Sequence, residues 1–199
     1  MRIGPMRIEI CGCIAAGKTT LCQTLAQKNL LPIFERFQEN PFWKDFYQNP
    51  SRYAFETEVT FLLQHYHAIK KQPPSNKHVF DFSLLQDIAY ADINLTGERK
   101  KLFTNLVENI IEEIKSPDLL IYITCPPEIA LKRIQQRNRD EENTISLTYL
   151  EELNCALEQR VISTTYASSV LRIDSASFDF RCKLPTSLQV YLYNDKQIY

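Results

Sequence analysis

Gly12-Cys13-Ile14-Ala15-Ala16-Gly17-Lys18-Thr19 has the G-x-x-x-x-G-K-[ST] spacing of a phosphate-cradling loop, and the rest of the chain is read relative to it. An apolar run, Ile8 to Cys11, precedes it, and Leu21, Leu25 and Ala26 follow at helical spacing, which is the strand-to-helix setting the motif requires. Gly12 and Gly17 allow backbone conformations and close approach that a Cβ would block, so consecutive N–H groups through Ala15 and Ala16 can face phosphate oxygens. Lys18 adds a point charge, and the Thr19 hydroxyl can ligate Mg²⁺. A helix starting near Lys18 presents the free N–H groups of its first turn, Thr20 included, to the same anion.

The chain has 199 residues, the length of one substantial α/β domain, and carries a net charge of −1 with acidic and basic residues interspersed. No long basic stripe is present, which argues against a polynucleotide partner. The first six residues lack an apolar core, and the longest apolar run, Leu119 to Cys125, is far short of a bilayer span, so a cytoplasmic protein without membrane attachment is expected. Six scattered cysteines read as reduced and mostly buried thiols, without the spacing of a zinc site.

Five short strands alternating with helices predict a three-layer α/β/α fold around a parallel sheet. They are Ile8–Cys11, Leu31–Phe34, His78–Phe80, the run beginning near Asp118 and ending at Thr124, and Val170–Asp174. An aromatic stretch, Asn40 to Asn49, leads to a long helix that Ser51 can cap, with Phe55, Val59, Leu62, Tyr66 and Ile69 on its apolar face. A later helix places Leu102, Leu106, Ile110 and Ile114 on one face, and another is expected to start in a capping box of Thr148 and Glu151. The tyrosine-rich tail to Tyr199 has no evident role.

Glu35 and Asp81 lie just beyond strand ends, where open α/β sheets bind ligands. Asp81 is the better Mg²⁺ partner for Thr19, leaving Glu35 as a base for an acceptor hydroxyl, although either can be a solvated loop acid. Arg133, Arg137 and Arg139 are the densest basic group, suited to the spread charge of a transferring phosphoryl group in a lid at about 137–145, or to a salt-bridged turn with Asp140, Glu141 and Glu142. Glu58 abuts an apolar helix face and either reads a ligand's polar edge or pairs with a basic side chain, the spacing favouring the second. Trp43, Phe46 and Tyr47 can stack a base but are more simply core, and His65, His67 and His78 show no metal pattern and read as structural.

These residues resemble the deoxyribonucleoside kinases, including bacterial deoxyadenosine and deoxyguanosine kinases. The resemblance runs through Glu35, Glu39 to Pro50, Phe55, Phe61-Leu62, Asp81-Phe82-Ser83, Arg137 to Glu142 and Tyr149-Leu150, roughly the first four-fifths of the chain. It implies a five-stranded P-loop kinase, usually a homodimer, that transfers phosphate from ATP-Mg²⁺ to the 5′-hydroxyl of a deoxyribonucleoside. Glu35 then matches the general base, Tyr47 and Glu142 the pair on the 3′-hydroxyl, Arg137 and Arg139 the lid arginines, and Arg133 a further arginine beside them. Asp81 matches the acid of an Asp/Glu-Arg-Ser motif.

Two positions depart from that pattern. Phe82 stands where arginine is usual and removes a charge near the 5′-oxygen, and Glu58 stands where glutamine usually reads the base. An ionised Glu58 would disfavour thymine and favour guanine, whose ring N–H and amine are adjacent donors. The rival readings are a nucleoside monophosphate kinase and a nucleotide-binding regulatory protein without transfer activity. If Glu35 is the base, Glu35→Gln lowers kcat far more than it weakens nucleoside binding; an unchanged kcat removes it from that role.

Overall fold

The computed structural model describes residues 6–193. Five parallel strands, β1 (Met6–Gly12), β2 (Leu31–Ile33), β3 (Lys77–Phe80), β4 (Leu119–Thr124) and β5 (Val170–Asp174), form one sheet in the order β2-β3-β1-β4-β5. β1 is central, pairing Ile8 with Val79 on one side and with Leu119 on the other. The near-continuous apolar sequences of β1 and β4 suit strands covered on both faces, and both are almost wholly buried. β2 is an edge strand, which explains how it tolerates Pro32, a residue with no N–H for a second ladder.

Among the described residues eight α-helices connect and flank the strands: α1 (Lys18–Ala26), α2 (Trp43–Gln48), α3 (Pro50–Lys70), α4 (Leu84–Asn94), α5 (Gly97–Ile114), α6 (Pro127–Arg137), α7 (Leu147–Ile162) and α8 (Thr186–Tyr193). α1 packs on β1, β2 and β3, whereas α4 packs against α3, α5 and α7. Right-handed crossovers send β1→β2 in one direction across the sheet and β2→β3, β3→β4 and β4→β5 in the other, placing α1 on the face opposite α3, α4, α5 and α7. The sequence-based expectation of a three-layer parallel α/β fold therefore holds. No helix among the described residues is long and apolar enough to cross a membrane.

Several local expectations change. α3 begins at Pro50, a residue suited to the first helical turn, so Ser51 lies inside the helix rather than capping it. α7 is capped by Ser146, whose hydroxyl accepts from the Tyr149 N–H at 3.1 Å, in place of a box from Thr148 and Glu151. On α5 the buried stripe is Phe103, Val107 and Ile110, and Leu102 is exposed, because only the arc facing the neighbouring helices is covered. On α3 the buried stripe is Ala54, Glu58, Leu62, His65 and Ile69 with Thr57, which rotates the inward face onto two ionisable residues. The tail supplies α8, whose Leu188 and Leu192 join the core, and residues 194–199 lie outside the described range.

Gly12 ends β1 at a point where the backbone has no room for a side chain. A Cβ there would stand 2.8 Å from the Ile123 carbonyl oxygen of β4 and 3.3 Å from the Ala16 Cβ. Gly12→Ala is expected to cost about 1–3 kcal/mol through overpacking, seen as a fall in Tm of about 3–10 °C. An unchanged Tm would show that β4 yields without strain.

Candidate active site

The loop after β1 holds two left-handed residues, Ala15 (φ 59°) and Gly17 (φ 105°), and turns directly into α1. Gly12 and Cys13 stand behind the cleft: the Gly12 N–H donates to Gln86 Oε1 at 3.3 Å, and Cys13 is fully buried. Ile14 to Thr20 line the open side. Lys18 folds back along the loop, its Nζ donating to the Gly12 and Cys13 carbonyls at 2.8 and 3.0 Å. Arg133, on α6, spends its guanidinium on the Ala15 carbonyl (3.3 Å), the Ala16 carbonyl (3.4 Å) and Ser175 (3.0 Å to Oγ, 2.7 Å to the carbonyl). It thus braces the loop against the end of β5 while still lining the cleft.

Asp81 follows β3 and joins two sides of the site. Its Oδ2 accepts from Thr19 Oγ1 at 2.9 Å, and its Oδ1 accepts from the backbone N–H of Glu35. Burial pushes the Asp81 carboxyl above its usual range, against the opposing effect of these hydrogen bonds. Thr19 and Asp81 offer hard oxygen atoms beside the phosphate loop, a donor set that suits Mg²⁺ completed by water and phosphate oxygens. Among the described residues no group of three or more His, Cys, Asp or Glu is arranged as an all-protein metal cage.

Helices α3 and α4 run antiparallel and meet through two buried polar rungs. Asn94 donates to Glu58 Oε1 at 2.7 Å, and His65 Nδ1 stands 2.8 Å from Asp87 Oδ2, the two pairs being seven residues apart on each helix. Glu58 therefore has an asparagine partner, not the lysine or arginine its spacing favoured. Burial pushes its carboxyl up to about 8, with Asp87 and Glu35 adding to the shift and Asn94 and His65 opposing it. His65, expected to be merely structural, also reaches Glu35: its Nε2 lies 3.2 Å from Glu35 Oε1. Its ring stacks on Phe82, with centroids 4.0 Å apart and planes 8° apart.

Burial opposes a charged His65, but Asp87 and Glu35 overcome it and raise the imidazolium's pKa to about 10. Burial likewise disfavours ionised Glu35, yet His65, Lys18 and Arg139 hold that carboxyl below its usual range. Asp87 is pushed up by burial and down by the same imidazolium. His65 decides the trio, because both ring nitrogens face carboxylate oxygens and a neutral imidazole has one N–H.

At the other end, Glu142 is buried between Arg137 and Arg139. Arg137 Nε donates to its Oε2 at 2.6 Å, and Arg139 pairs with its Oε1 at 3.1 Å. The Arg139 guanidinium also lies over the Phe37 ring, 4.5 Å from the centroid. After α6 ends at left-handed Asn138, the segment expected as a lid at about 137–145 contains a short 3-10 helix, Asp140–Thr144, tied to α2 by Lys44 and Glu141 at 2.8 Å. Trp43 packs edge-on against Tyr47, as does Phe46, so these aromatics are both packed and cleft-lining.

One cleft of about 420 Å³ collects these groups. Lys18, Thr19, Asp81, Glu35, Tyr47 and Glu58 all line it, with Arg133, Arg137, Arg139 and Glu142 across from them. Asp87, Gln86 and Tyr90 also line it and were not singled out by sequence, nor was Asn94, which anchors Glu58. The available signal was spacing: Glu58 to His65 and Asp87 to Asn94 are each two helical turns apart, which keeps them on one face.

The deoxynucleoside kinase family model matches residues 8–188. Deoxyguanosine kinase of Bacillus subtilis is 30% identical over 185 residues, covering 87% of this chain and 88% of its own. Deoxyadenosine kinase of Dictyostelium discoideum is 32% identical over 180 residues, 86% of this chain and 73% of its own. Among solved structures, deoxyadenosine kinase from M. mycoides with bound dCTP superimposes with a TM-score of 0.76 at 25% identity, covering 96% of this chain and 98% of that one. The phosphate loop, the strand-end acids and the arginine turn thus occur here in a member of the deoxynucleoside kinase family.

Proposed function

We propose that the chain transfers the γ-phosphoryl group of ATP to the 5′-hydroxyl of a deoxyribonucleoside, with the residue roles given below. The observation that carries this reading is that the phosphate loop, Glu35, Asp81 and the arginine turn all open on a single cleft. The loop N–H groups and Lys18 would take the donor phosphates, Lys18 exchanging its two carbonyl partners for phosphate oxygens. Thr19 and Asp81 would hold Mg²⁺, which when bound offsets the charge on the phosphates. Arg137 and Arg139 would stabilise the phosphoryl group in flight, and Arg133 keeps the loop in shape for it.

On the acceptor side, Glu35 would orient the 5′-hydroxyl and accept its proton, while Tyr47 and Glu142 hold the 3′-hydroxyl. Catalysis is then mainly positioning and charge stabilisation. The acceptor end carries Glu35 and Asp87, so a monophosphate acceptor would bring its charge against carboxylates. This disfavours the monophosphate kinase reading. A homodimer and a cytoplasmic location complete the proposal, resting on the family resemblance.

Glu58 revises the expectation about bases. With its carboxyl raised to about 8, it is mostly protonated at neutral pH, so one oxygen takes the Asn94 N–H and the other can donate. The argument against thymine needed an ionised carboxylate and therefore lapses below that range. Ionisation above it favours guanine's paired donors over adenine and thymine.

Labelled ATP with four deoxynucleosides, four ribonucleosides and their monophosphates tests the activity. Product from deoxynucleosides is expected; product from monophosphates alone, or nucleotide binding without product, would overturn it. Across the same panel, raising the pH from about 6.5 to about 9 should increase the kcat/KM ratio of deoxyguanosine to thymidine on the order of tenfold, and Glu58→Gln should flatten that change. A ratio in the parent protein that ignores pH would remove Glu58 from base reading.

A further inference from the structure

The ladder between β1 and β3 ends at Glu9 and Phe80, while β1 runs on beside β4 as far as Gly12. The Gly12 N–H therefore meets a side chain in place of a strand carbonyl: it donates to Gln86 Oε1 at 3.3 Å. Gln86 stands in the first turn of α4, where its own N–H is held by the Ser83 hydroxyl at 3.1 Å, and it is 4% exposed. A backbone N–H only donates, so the Gln86 amide must offer Gly12 its oxygen. That fixes which way the amide faces: Oε1 points back toward Gly12, behind the cleft, and Nε2 is turned away from it.

Among the described residues Nε2 donates to no protein acceptor, yet it is not sealed off, because Gln86 lines the cleft. An amide this deeply set, with its oxygen spent and its N–H groups open, calls for an acceptor supplied from the cleft. Its position says which kind. Gly12 begins the phosphate loop, whereas Asp87 follows Gln86 on α4 and lines the acceptor end. The amide thus stands at the seam where the reacting ends of the two substrates meet. The cations of the cleft come from other elements, Lys18 from the start of α1 and the arginines from α6 and the turn after it, while Asp81 and Asp87 on the Gln86 side are carboxyl groups. A phosphoryl group between donor and acceptor spreads its charge over three oxygens, and the one facing α4 has Gln86 Nε2 as a neutral N–H donor.

We propose that Gln86 is a further catalytic residue, whose Nε2 donates a hydrogen bond to a non-bridging oxygen of the phosphoryl group as it passes between the two substrates. Oε1, held by the Gly12 N–H, aims the amide before either substrate binds, so no reorganisation is needed at the moment of transfer. Gln86 forms no covalent bond and moves no proton; it stabilises charge and nothing else. The role rests on the kinase reading given above.

Two substitutions in the full-length protein separate the donor from the brace. In Gln86→Met, kcat should fall on the order of tenfold or more, with nucleoside KM and the Kd of Mg-ADP each changed less than about threefold. If Gln86 only held the loop in shape, its loss would weaken Mg-ADP as much as it lowers kcat, and that pattern overturns the proposal, as does a raised KM with kcat unchanged. Gln86→Glu keeps an oxygen for the Gly12 N–H but lacks the donor. Its Tm should stay within about 2 °C of the parent while kcat falls at least as far as in Gln86→Met. A kcat nearer to the parent's than that of Gln86→Met would leave only the brace and overturn the donor role.

Nitrogen-15 NMR of the unsubstituted protein gives a readout independent of turnover. The Gln86 side-chain amide signals, assigned by their loss in either variant, should shift when Mg-ADP, fluoroaluminate as a mimic of the phosphoryl group in flight, and a deoxynucleoside are added together, and should stay in place with Mg-ADP alone. Signals that ignore the full set overturn the proposal. A parent protein that phosphorylates no nucleoside sinks the kinase reading and this role with it, whereas an active parent matched by an equally active Gln86→Met removes the role of Gln86 and leaves the kinase reading standing.

Discussion

Asp81 is the carboxylate on which the two halves of the cleft depend. One of its oxygens accepts from Thr19 on the phosphate loop, and the other accepts from the backbone N–H of Glu35, so the phosphate loop and the loop after β2 share a single anchor. Such a link is available because β3 lies between β1 and β2 in the sheet, bringing the ends of all three strands to one edge. The strand order thereby turns three short segments separated in sequence into one site. Both partners of Asp81 are donors to its charged form, which partly offsets the burial that would otherwise protonate it.

Around that anchor each buried carboxyl group stands against a specific partner. Glu142 sits between two arginines, Glu58 takes an asparagine amide, and Asp87 and Glu35 flank one imidazole ring. Breaking one member of such a set leaves its partner buried and unpaired, which costs more than the contact itself contributes. Lys18 and Arg133 likewise donate to loop carbonyls, which accept their charge within the protein.

Much of this was legible in the chain. The phosphate loop announces itself by spacing, and the apolar runs of β1 and β4 mark buried parallel strands, so the fold follows from local pattern. That Glu35 and Asp81 line the cleft is legible because a strand end is visible in sequence and open α/β sheets bind ligands there. The polar rungs were not legible in the same way. Glu58–Asn94 and His65–Asp87 depend on the register of two helices whose facing residues are 36 and 22 positions apart, which no single-helix period encodes. The apolar reading of α3 centred the buried face on Phe55 and Val59, whereas packing against α4 turned Glu58 and His65 inward. Caps failed for a related reason: Ser146 and Thr148 are both plausible N-caps, and only the backbone path selects Ser146.

The proposed roles require that the sugar enter with its primary alcohol toward Glu35 and its base toward Glu58. A crystal structure with a deoxynucleoside and a non-hydrolysable ATP analogue measures this directly. The 5′-oxygen is expected within about 3 Å of a Glu35 carboxylate oxygen, with the terminal phosphate at Lys18. A nucleoside bound in the opposite sense, its 5′-carbon toward Glu58 and its base under the arginine turn, would contradict the assignment of the two ends.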